Sequence, residues 1–224
     1  MCFKRRALVS FSGGKDSMLA LHKVMNSGIY EIESLFTTVN KDNRRTAIHG
    51  VREEILDDQA SSLGLPLRKV PIPDNCTNEE YEQIMEREMR RVKQAGVEYV
   101  VFGDIFLEDV RKYREKNLSS TGIVPLFPLW GESTRDMMNQ FLSLGYQTII
   151  TAVDHHKLSE KFLGKVIDQD ILKTFPKNVD ICGENGEYHT LVVDGPLFKE
   201  PVRVKTVNRM VEGEYYIYQD VKLL

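Results

Sequence analysis

A short glycine turn between an apolar run and a helical pattern constrains the fold of this chain more than any other feature. Residues 7–11 are apolar enough for a buried strand, residues 18–25 have helical spacing, and between them stands Ser12-Gly13-Gly14-Lys15-Asp16-Ser17. Adjacent glycines let the backbone turn tightly with its N–H groups in one concavity, and a following helix N-terminus favours negative charge there. The order strand, glycine turn, helix therefore predicts a phosphate site in an α/β fold.

The side chains of the turn support the same prediction. Lys15 offers a mobile positive charge for phosphate oxygens, Ser12 and Ser17 offer hydroxyl donors, and Asp16 can hold a magnesium ion or orient the loop. The turn differs from the Walker pattern G-x-x-x-x-G-K-[ST], because its two glycines are adjacent and an aspartate separates the lysine from the last serine. The alternative, a serine-glycine turn that only caps a helix, explains the glycines but not the other side chains together.

The composition excludes several classes of protein. The 224 residues are 42% hydrophobic and 28% charged with a formal net charge of −3, which is typical of a globular protein without a field that recruits nucleic acid. No apolar stretch approaches the ~20 residues that span a bilayer, and no signal-peptide pattern opens the chain, so we expect a cytoplasmic protein. A basic cluster is interpreted as a solvated surface; it consists of Arg44, Arg45 and Arg52.

The cysteines argue against a disulfide framework or a zinc site. Cys2, Cys76 and Cys182 lie far apart and form no C-x-x-C pair, so we expect isolated reduced thiols. A tRNA thiolase would usually bring cysteines that carry sulfur and a basic surface, and neither is evident here.

Strand and helix patterns alternate through the first two thirds of the chain, which predicts a doubly wound, mostly parallel, Rossmann-like sheet. Expected strands are 7–11, 31–39, 67–72 and 99–102, and expected helices are 16–27, 50–63 and one that starts at a Thr77/Glu80 capping box and ends at Gly96. A proline-containing link follows at 124–130, with Trp130 expected as a plug in the core or between domains. We predict a phosphate-binding α/β domain at 1–125 and a smaller α+β substrate domain at 126–224. The second contains a helix after Ser133, a strand at 148–153, a short helix at 159–167 and a hairpin turning at Gly213.

Further candidates lie beyond the strand ends, where ligands of such sheets bind. Gly103 and Asp104 follow the fourth strand and could contact ribose, metal or pyrophosphate, although an aspartate there can equally be a helix cap. His49 lies in the loop after the second strand and could contact adenine or phosphate, with a structural role as the alternative. His155 and His156 are adjacent and point in different directions, so no metal site is expected.

A second polar cluster precedes the strand at 191–193. The segment Gly183-Glu184-Asn185-Gly186-Glu187-Tyr188-His189-Thr190 holds two carboxylates, an amide, an imidazole and a hydroxyl. Glu184 and Glu187 could bind an amine or ammonium or act as bases, while Asn185 and Thr190 fix orientation. The alternative is a hairpin turn with Asn185-Gly186 at its tip.

Several motifs together resemble the diphthine–ammonia ligase family of N-type ATP pyrophosphatases, over nearly the whole chain. They are the S-G-G-K-D-S turn, which is similar to a PP-loop, the G-D-I strand end, the Tyr113-Arg114 segment, P-L-W, and G-E-N-G-E-Y-H-T ahead of V-V-D-G-P-L-F. The resemblance implies a HUP (adenine nucleotide alpha hydrolase-like) fold, ATP and magnesium, and a cytoplasmic ligase that adenylates a carboxylate and aminates it with ammonia. The family's acceptor is diphthine on elongation factor 2.

The resemblance also assigns roles and exposes departures. It implies Lys15, Asp16, Glu184 and Glu187 as catalytic residues, Asp16 as magnesium ligand, residues 12–17, His49, Gly103 and Asp104 as the nucleotide site, and Asn185, His189 and Thr190 as the acceptor site. The family motif is similar to G-E-G-G-E-[FY]-E-T, so Asn185 replaces a glycine and His189 a glutamate. Asp104 replaces a small residue, and Arg114-Glu115 stands where glutamine-arginine is usual.

These departures fall in the expected acceptor pocket and are compatible with a bacterial-type member, so the nucleotide chemistry carries over better than the acceptor. The alternatives are a PP-loop enzyme acting on a tRNA base or small metabolite, and a nucleotide sensor without turnover. No membrane and no bulk nucleic-acid partner is expected, and a homodimer is allowed.

Overall fold

The computed structural model describes residues 4–46, 49–212 and 215–224. The strands in chain order are β1 Arg5–Ser10, β2 Tyr30–Asn40, β3 Leu67–Ile72, β4 Tyr99–Val101, β5 Val124–Leu126, β6 Gln147–Asp154, β7 Tyr188–Asp194, β8 Val204–Glu212 and β9 Tyr216–Leu223. The α-helices are α1 Lys15–Asn26, α2 Glu53–Leu63, α3 Asn78–Gln94, α4 Glu108–Leu118, α5 Thr134–Ser143 and α6 Gln169–Lys173, and a short 3₁₀ helix covers Glu160–Phe162.

The first sheet is parallel and doubly wound, as predicted. Its strand order is β3-β2-β1-β4-β5, so the order reverses between β1 and β4, where ligands of open α/β sheets bind. Successive residues of β1 point to opposite faces of the sheet, each of which is covered by a hydrophobic core. Ala7 and Val9 pack in the core beneath α1 and α2, whereas Leu8 packs in the core beneath α3. Burial on both faces explains why β1 is an unbroken apolar run.

The second sheet is antiparallel, with the order β7-β6-β9-β8. Its inner residues share one continuous core with α1, α2 and α5, and this core includes Ile150, Val153 and Leu191. The C-terminal part is therefore a small α+β unit, as predicted. The predicted hairpin of β8 and β9 is present, but its turn at Gly213 lies outside the described residues, as does Cys2.

Three local predictions differ from the structure. The segment predicted as a link contains β5, which pairs with β4 at the sheet edge, where Pro125 need not donate to a second neighbour. The helix expected at 159–167 is only the 3₁₀ turn, and α2 begins at Glu53 rather than at residue 50. The proposed division after residue 125 falls inside β5 and remains a prediction.

The capping predictions are confirmed. Thr77 and Glu80 form a complete capping box on α3, and Ser133 caps α5 by accepting from the Asp136 N–H. Among the described residues, no helix is both long and apolar enough to cross a bilayer.

Candidate functional site

The glycine turn joins the carboxyl end of β1 to the first turn of α1, and its own serines hold it in shape. Gly13 has φ of +80°, a conformation that favours glycine, and Gly14 precedes the helix without a side-chain cap. The Ser17 hydroxyl donates to the Gly14 carbonyl over 3.0 Å, and the Gly14 N–H donates to the Ser12 hydroxyl over 3.3 Å. The two hydroxyls are 3.2 Å apart. The turn is therefore fixed before any ligand binds.

Strand β7 of the second sheet packs directly against this turn. The Val192 N–H donates to the Gly13 carbonyl over 2.9 Å, and the Lys15 N–H donates to the Thr190 hydroxyl over 3.1 Å. A Cβ on Gly14 would lie 2.9 Å from the Thr190 carbonyl oxygen, so glycine is needed for this approach. The two segments singled out from the sequence are thus in contact, although about 175 residues separate them.

Gln59 is a contributor that the sequence analysis missed. Its side chain is fully buried, and its Nε2 donates to the Gly13 carbonyl over 3.0 Å and to the Val192 carbonyl over 2.6 Å. Gln59 ties α2 to both the turn and β7. The signal was present in the sequence, because Gln59 occupies a position where the periodicity of α2 calls for an apolar residue.

Lys15 and Asp16 form an ion pair at the start of α1. The Lys15 Nζ lies 2.9 and 2.8 Å from the two carboxylate oxygens of Asp16 and 5.3 Å from the centroid of the Tyr188 ring. Burial lowers the pKa of Lys15, but the charges of Asp16 and Glu184 outweigh it and raise that pKa overall. Burial raises the pKa of Asp16, and Lys15 offsets part of this effect. Lys15 therefore stays protonated and is directed toward the second polar cluster.

The second cluster is an irregular turn that leads into β7 rather than a hairpin. The Asp180 carboxylate accepts from the N–H groups of Cys182 and Glu184 over 3.1 and 3.0 Å. Glu187 is 2% exposed; its Oε1 accepts from the Asp180 N–H and the Asn185 side chain, and its Oε2 has no partner within the described residues. Asp180, which the sequence analysis did not select, thus organises the turn.

Glu184 reaches the first sheet. Its Oε1 accepts from the Ile105 N–H over 2.8 Å, just beyond the end of β4. Burial raises the pKa of Glu184 to about 7, and the negative charge of Asp16 adds to the shift. This carboxyl therefore exchanges a proton near neutral pH, which is the property of a general acid or base.

His49 and His189 stand together over the glycine turn. Their ring centroids are 4.5 Å apart. The His49 ring lies next to Gly14, because a Cβ added to Gly14 would be 3.4 Å from the His49 Cε1. Burial and the charge of Lys15 lower the pKa of His49 to about 4, while burial and His49 lower that of His189. The His49 Nδ1 and the His189 Nε2 are buried without a partner among the described residues, so a ligand or a small movement must satisfy them.

Gly103 and Asp104 lie against different helices. A Cβ on Gly103 would lie 2.8 Å from the backbone carbon of Asp16, so Gly103 permits β4 to end against α1. Asp104 forms a two-point ion pair with Arg114, with an Nε to Oδ2 distance of 2.6 Å, and Arg114 also stacks on Phe102. Asp104 is therefore not a helix cap, and its carboxylate faces α4 instead of the glycine turn.

A cleft of about 590 Å³ opens beside the turn, between the ends of β1, β2 and β4 and helices α3 and α4. Its walls are largely apolar, and Ser12, Thr37, Thr38, His49 and Arg114 add polar groups. Lys15 instead lines a much smaller void with Asp16 and Cys182. The turn therefore separates a large cleft on one side from the acidic cluster on the other.

The arginines and Trp130 that the sequence singled out contact other side chains of the protein rather than the glycine turn. Arg45 and Arg52 are partly buried and both pair with Asp220, so their interpretation as a solvated surface is wrong. Arg44 pairs with Glu53 but its side chain is 70% exposed, as that interpretation predicts. Trp130 is only partly buried and packs against Arg111, whose guanidinium carbon lies 4.7 Å from the ring centroid, so it is not a plug in the core. Its predicted place between domains stays a prediction.

The predictions of free thiols and of no zinc site can be compared with the structure only over the described residues. Cys76 and Cys182 are free thiols, and burial raises the pKa of Cys182, which suppresses its thiolate. Within residues 4–46, 49–212 and 215–224, no group of three histidine, cysteine or acidic side chains is arranged to hold a metal ion. Both oxygens of Asp16 are occupied by Lys15, and its role as magnesium ligand stays a prediction.

Comparison with known proteins identifies similar chains. The family model "Diphthamide synthase N-terminal domain" matches residues 5–125, and "Diphthamide synthase C-terminal domain" matches residues 133–223. The diphthine–ammonia ligase of Bos taurus is 27% identical in an alignment of length 223 that covers 89% of this chain and 82% of that protein; the values for the Homo sapiens protein are the same. The protein of that name from Schizosaccharomyces pombe is 29% identical over 92% of this chain and 37% of its own length.

Proposed function

Because the chain belongs to the diphthamide synthase family, we propose that it is an ATP-dependent ligase that forms an amide from a carboxylate and ammonia. The observation that carries the proposal is the contact between the glycine turn and the segment Gly183–Thr190, which brings a phosphate-binding motif and a titratable carboxyl to one place. The resemblance inferred from the sequence is confirmed by the family models, which together match most of the chain.

ATP as substrate fits the cleft beside the turn. Its volume of about 590 Å³ lies within the usual range of small-molecule sites, about 300–1,000 Å³. Its apolar walls suit a purine, its threonine hydroxyls suit ribose or phosphate, and the unpartnered His49 Nδ1 can bond to a polar group of the ligand. We place the nucleoside in the cleft and the triphosphate across the turn toward Lys15.

In the first step, an oxygen of the acceptor carboxylate attacks the α-phosphorus, and the bond to the bridging oxygen of pyrophosphate breaks. The N–H groups at the start of α1 and the Lys15 charge stabilise the negative charge that develops on the leaving pyrophosphate. Magnesium bound with ATP would neutralise further phosphate charge, and Asp16 is the carboxylate we assign to it. Because Lys15 already sits in a fixed, water-poor position, little reorganisation is needed.

In the second step, ammonia attacks the acyl carbon of the adenylate, AMP leaves, and the nitrogen loses one proton. We assign that proton to Glu184, because its pKa of about 7 lets the carboxylate form accept it at neutral pH. Glu187 is assigned to binding the ammonium ion and accepting the proton whose loss frees ammonia for the attack, because its buried Oε2 has no partner among the described groups. The proposed domains fit these roles, with residues 1–125 binding ATP and residues 126–224 binding the acceptor.

The acceptor that we propose is diphthine on elongation factor 2, or a smaller carboxylate that occupies the same place. Asn185, His189 and Thr190 are assigned to the acceptor site, and the first two differ from the family motif. His189 is neutral near pH 7, so it replaces a family carboxylate by an uncharged group and removes one negative charge beside the site. An acceptor with less positive charge near this position fits this change.

The experiment that tests this function incubates the protein with ATP, magnesium, ¹⁵N-ammonium and diphthine-containing elongation factor 2, or with candidate carboxylates. We expect AMP and pyrophosphate in equal amounts and one ¹⁵N atom in the amide product. Lys15→Ala should slow this reaction about a hundredfold. Lys23→Ala, which changes a lysine on the same helix that pairs with Glu132 at the surface, should retain it. Formation of ADP and phosphate would contradict the proposal, and AMP formation only with tRNA would favour the tRNA-modifying alternative.

A further inference from the structure

A loop closed by a buried carboxylate carries His49 to the glycine turn. We call the described residues 45–46 and 49–52 the His49 loop; its two ends meet in a bridge between Arg45 and Arg52. Inside that bridge, the Thr46 N–H donates to the Val51 carbonyl over 2.9 Å and the Val51 N–H donates to the Thr46 hydroxyl over 3.1 Å. His49 therefore projects from a loop whose base is closed by its own backbone.

Asp220 on β9 holds both arginines at the base of the loop. The Arg52 guanidinium contacts both carboxylate oxygens, over 3.0 and 2.8 Å, and the Arg45 Nη2 lies 2.8 Å from Oδ1. Arg45 also donates to the Gly50 carbonyl over 2.7 Å, next to His49. Burial raises the pKa of Asp220, but the hydrogen bonds from Arg52 and Arg45 outweigh it, so the net pKa is lowered. The carboxylate is therefore charged and fully engaged.

The second sheet also shapes the far side of the loop. Gly50 has φ of +62°, and a Cβ there would lie 2.6 Å from the Tyr218 ring on β9. The His49 ring packs on His189 of β7, with the two ring centroids 4.5 Å apart. The base of the loop pairs with β2 through a bridge between Val39 and Thr46, whereas its far side contacts β7 and β9 of the second sheet.

We propose that Asp220 is a positioning residue that, through Arg45 and Arg52, seats His49 against His189 and the glycine turn. Its effect on ATP use rests on the function proposed above, whereas the seating of His49 does not. Asp220 acts at a distance, because it contacts the arginines and not the site itself. Removing its charge should release the loop and leave His49 exposed to water.

The test follows His49 directly in Asp220→Asn by ¹⁵N–¹H NMR of the histidine side chains, with His49→Ala used to assign the signal. In the wild type we expect the His49 pKa near 4, and in the variant a rise toward the solvated value of about 6.5. The control is Glu88→Gln, because Glu88 is also a buried carboxylate between two arginines, Arg68 and Arg91, but lies on α3. It should leave the His49 signal unchanged.

Kinetics add a second readout. Asp220→Asn should lower kcat/KM for ATP roughly 10- to 100-fold, the size expected for a misplaced site group, and the double variant with His49→Ala should lose no more than His49→Ala alone. An unchanged His49 pKa in folded Asp220→Asn would overturn the positioning role whatever the turnover. If the His49 pKa shifts in Asp220→Asn but neither the wild type nor any variant turns over ATP, the positioning role stands and the proposed function is removed. If Asp220→Asn does not fold, Arg52→Gln gives the same test with Arg45 still in place.

Discussion

Replacing Lys15 with methionine should lower both the free energy of unfolding and kcat, and the two losses can be measured separately. Lys15 is 4% exposed and its partner Asp16 retains 30% of its side-chain exposure. Removing one partner of a buried ion pair costs about 3–5 kcal/mol, and the partial exposure of Asp16 places this pair at the lower end, about 3 kcal/mol. If Lys15 also stabilises the leaving pyrophosphate, its loss costs another ~3 kcal/mol in the transition state, or about a hundredfold in kcat.

The two effects are separated with a second substitution. Asp16→Asn removes the other charge, so Lys15→Met/Asp16→Asn should regain most of the lost free energy of unfolding, to within about 1 kcal/mol of the wild type. Turnover should not recover, because the cation for pyrophosphate is still missing. Stability is measured by urea denaturation, and turnover by quenched-flow release of pyrophosphate at saturating ATP.

The control is Lys23→Met on the same helix. Lys23 pairs with Glu132 at 2.5 Å, but 42% of the Glu132 side chain is exposed, so this pair should contribute only about 0–1 kcal/mol. The reasoning is refuted if folded Lys15→Met turns over within threefold of the wild type, or if the double variant is no more stable than Lys15→Met alone.

Three further predictions concern the contacts around the turn. Thr190→Val removes the acceptor of the buried Lys15 N–H and should cost about 1–3 kcal/mol in thermal or urea unfolding, while Thr190→Ser should cost less than half as much. Turnover should rise with pH as Glu184 ionises near pH 7 and then level off, and Glu184→Gln should flatten this profile. Folding raises the pKa of Glu184 above its ordinary value of 4.5, so the contribution of Glu184 to stability is greatest below pH 4.5. That contribution is lost as the pH rises through about 7. Gly103→Ala places a Cβ 2.8 Å from backbone of Asp16 and should cost about 1–3 kcal/mol, measured by the same unfolding assay.

Local signals in the sequence predicted the parts of the fold that depend on neighbouring residues. The glycine turn, the Thr77 capping box and the buried strands were predictable because their causes lie within a few residues. Helix α4 was not assigned as a helix because only Leu118 of it is buried, so it has no apolar stripe. Exposed pairs such as Arg111 with Glu115 support it instead.

Long-range pairing explains what the sequence could not reveal about the site. The sequence selected Lys15, His49 and Thr190 separately, but their contacts depend on how the second sheet packs against the first. The same holds for Asp220, which lies 168 residues from Arg52 and carries no local signal of its role. A charged residue on β9 is equally compatible with exposure until the packing of the two sheets is known.

The central claim is that the turn at the end of β1 holds the phosphates of ATP with the nucleoside in the adjacent cleft. A crystal structure with magnesium and α,β-methylene-ATP, which cannot be cleaved between these phosphates, tests it most directly. We expect phosphate oxygens within hydrogen-bond distance of N–H groups of residues 13–17 and the purine between β2 and α3. A bound nucleotide whose phosphates lie away from this turn would contradict it.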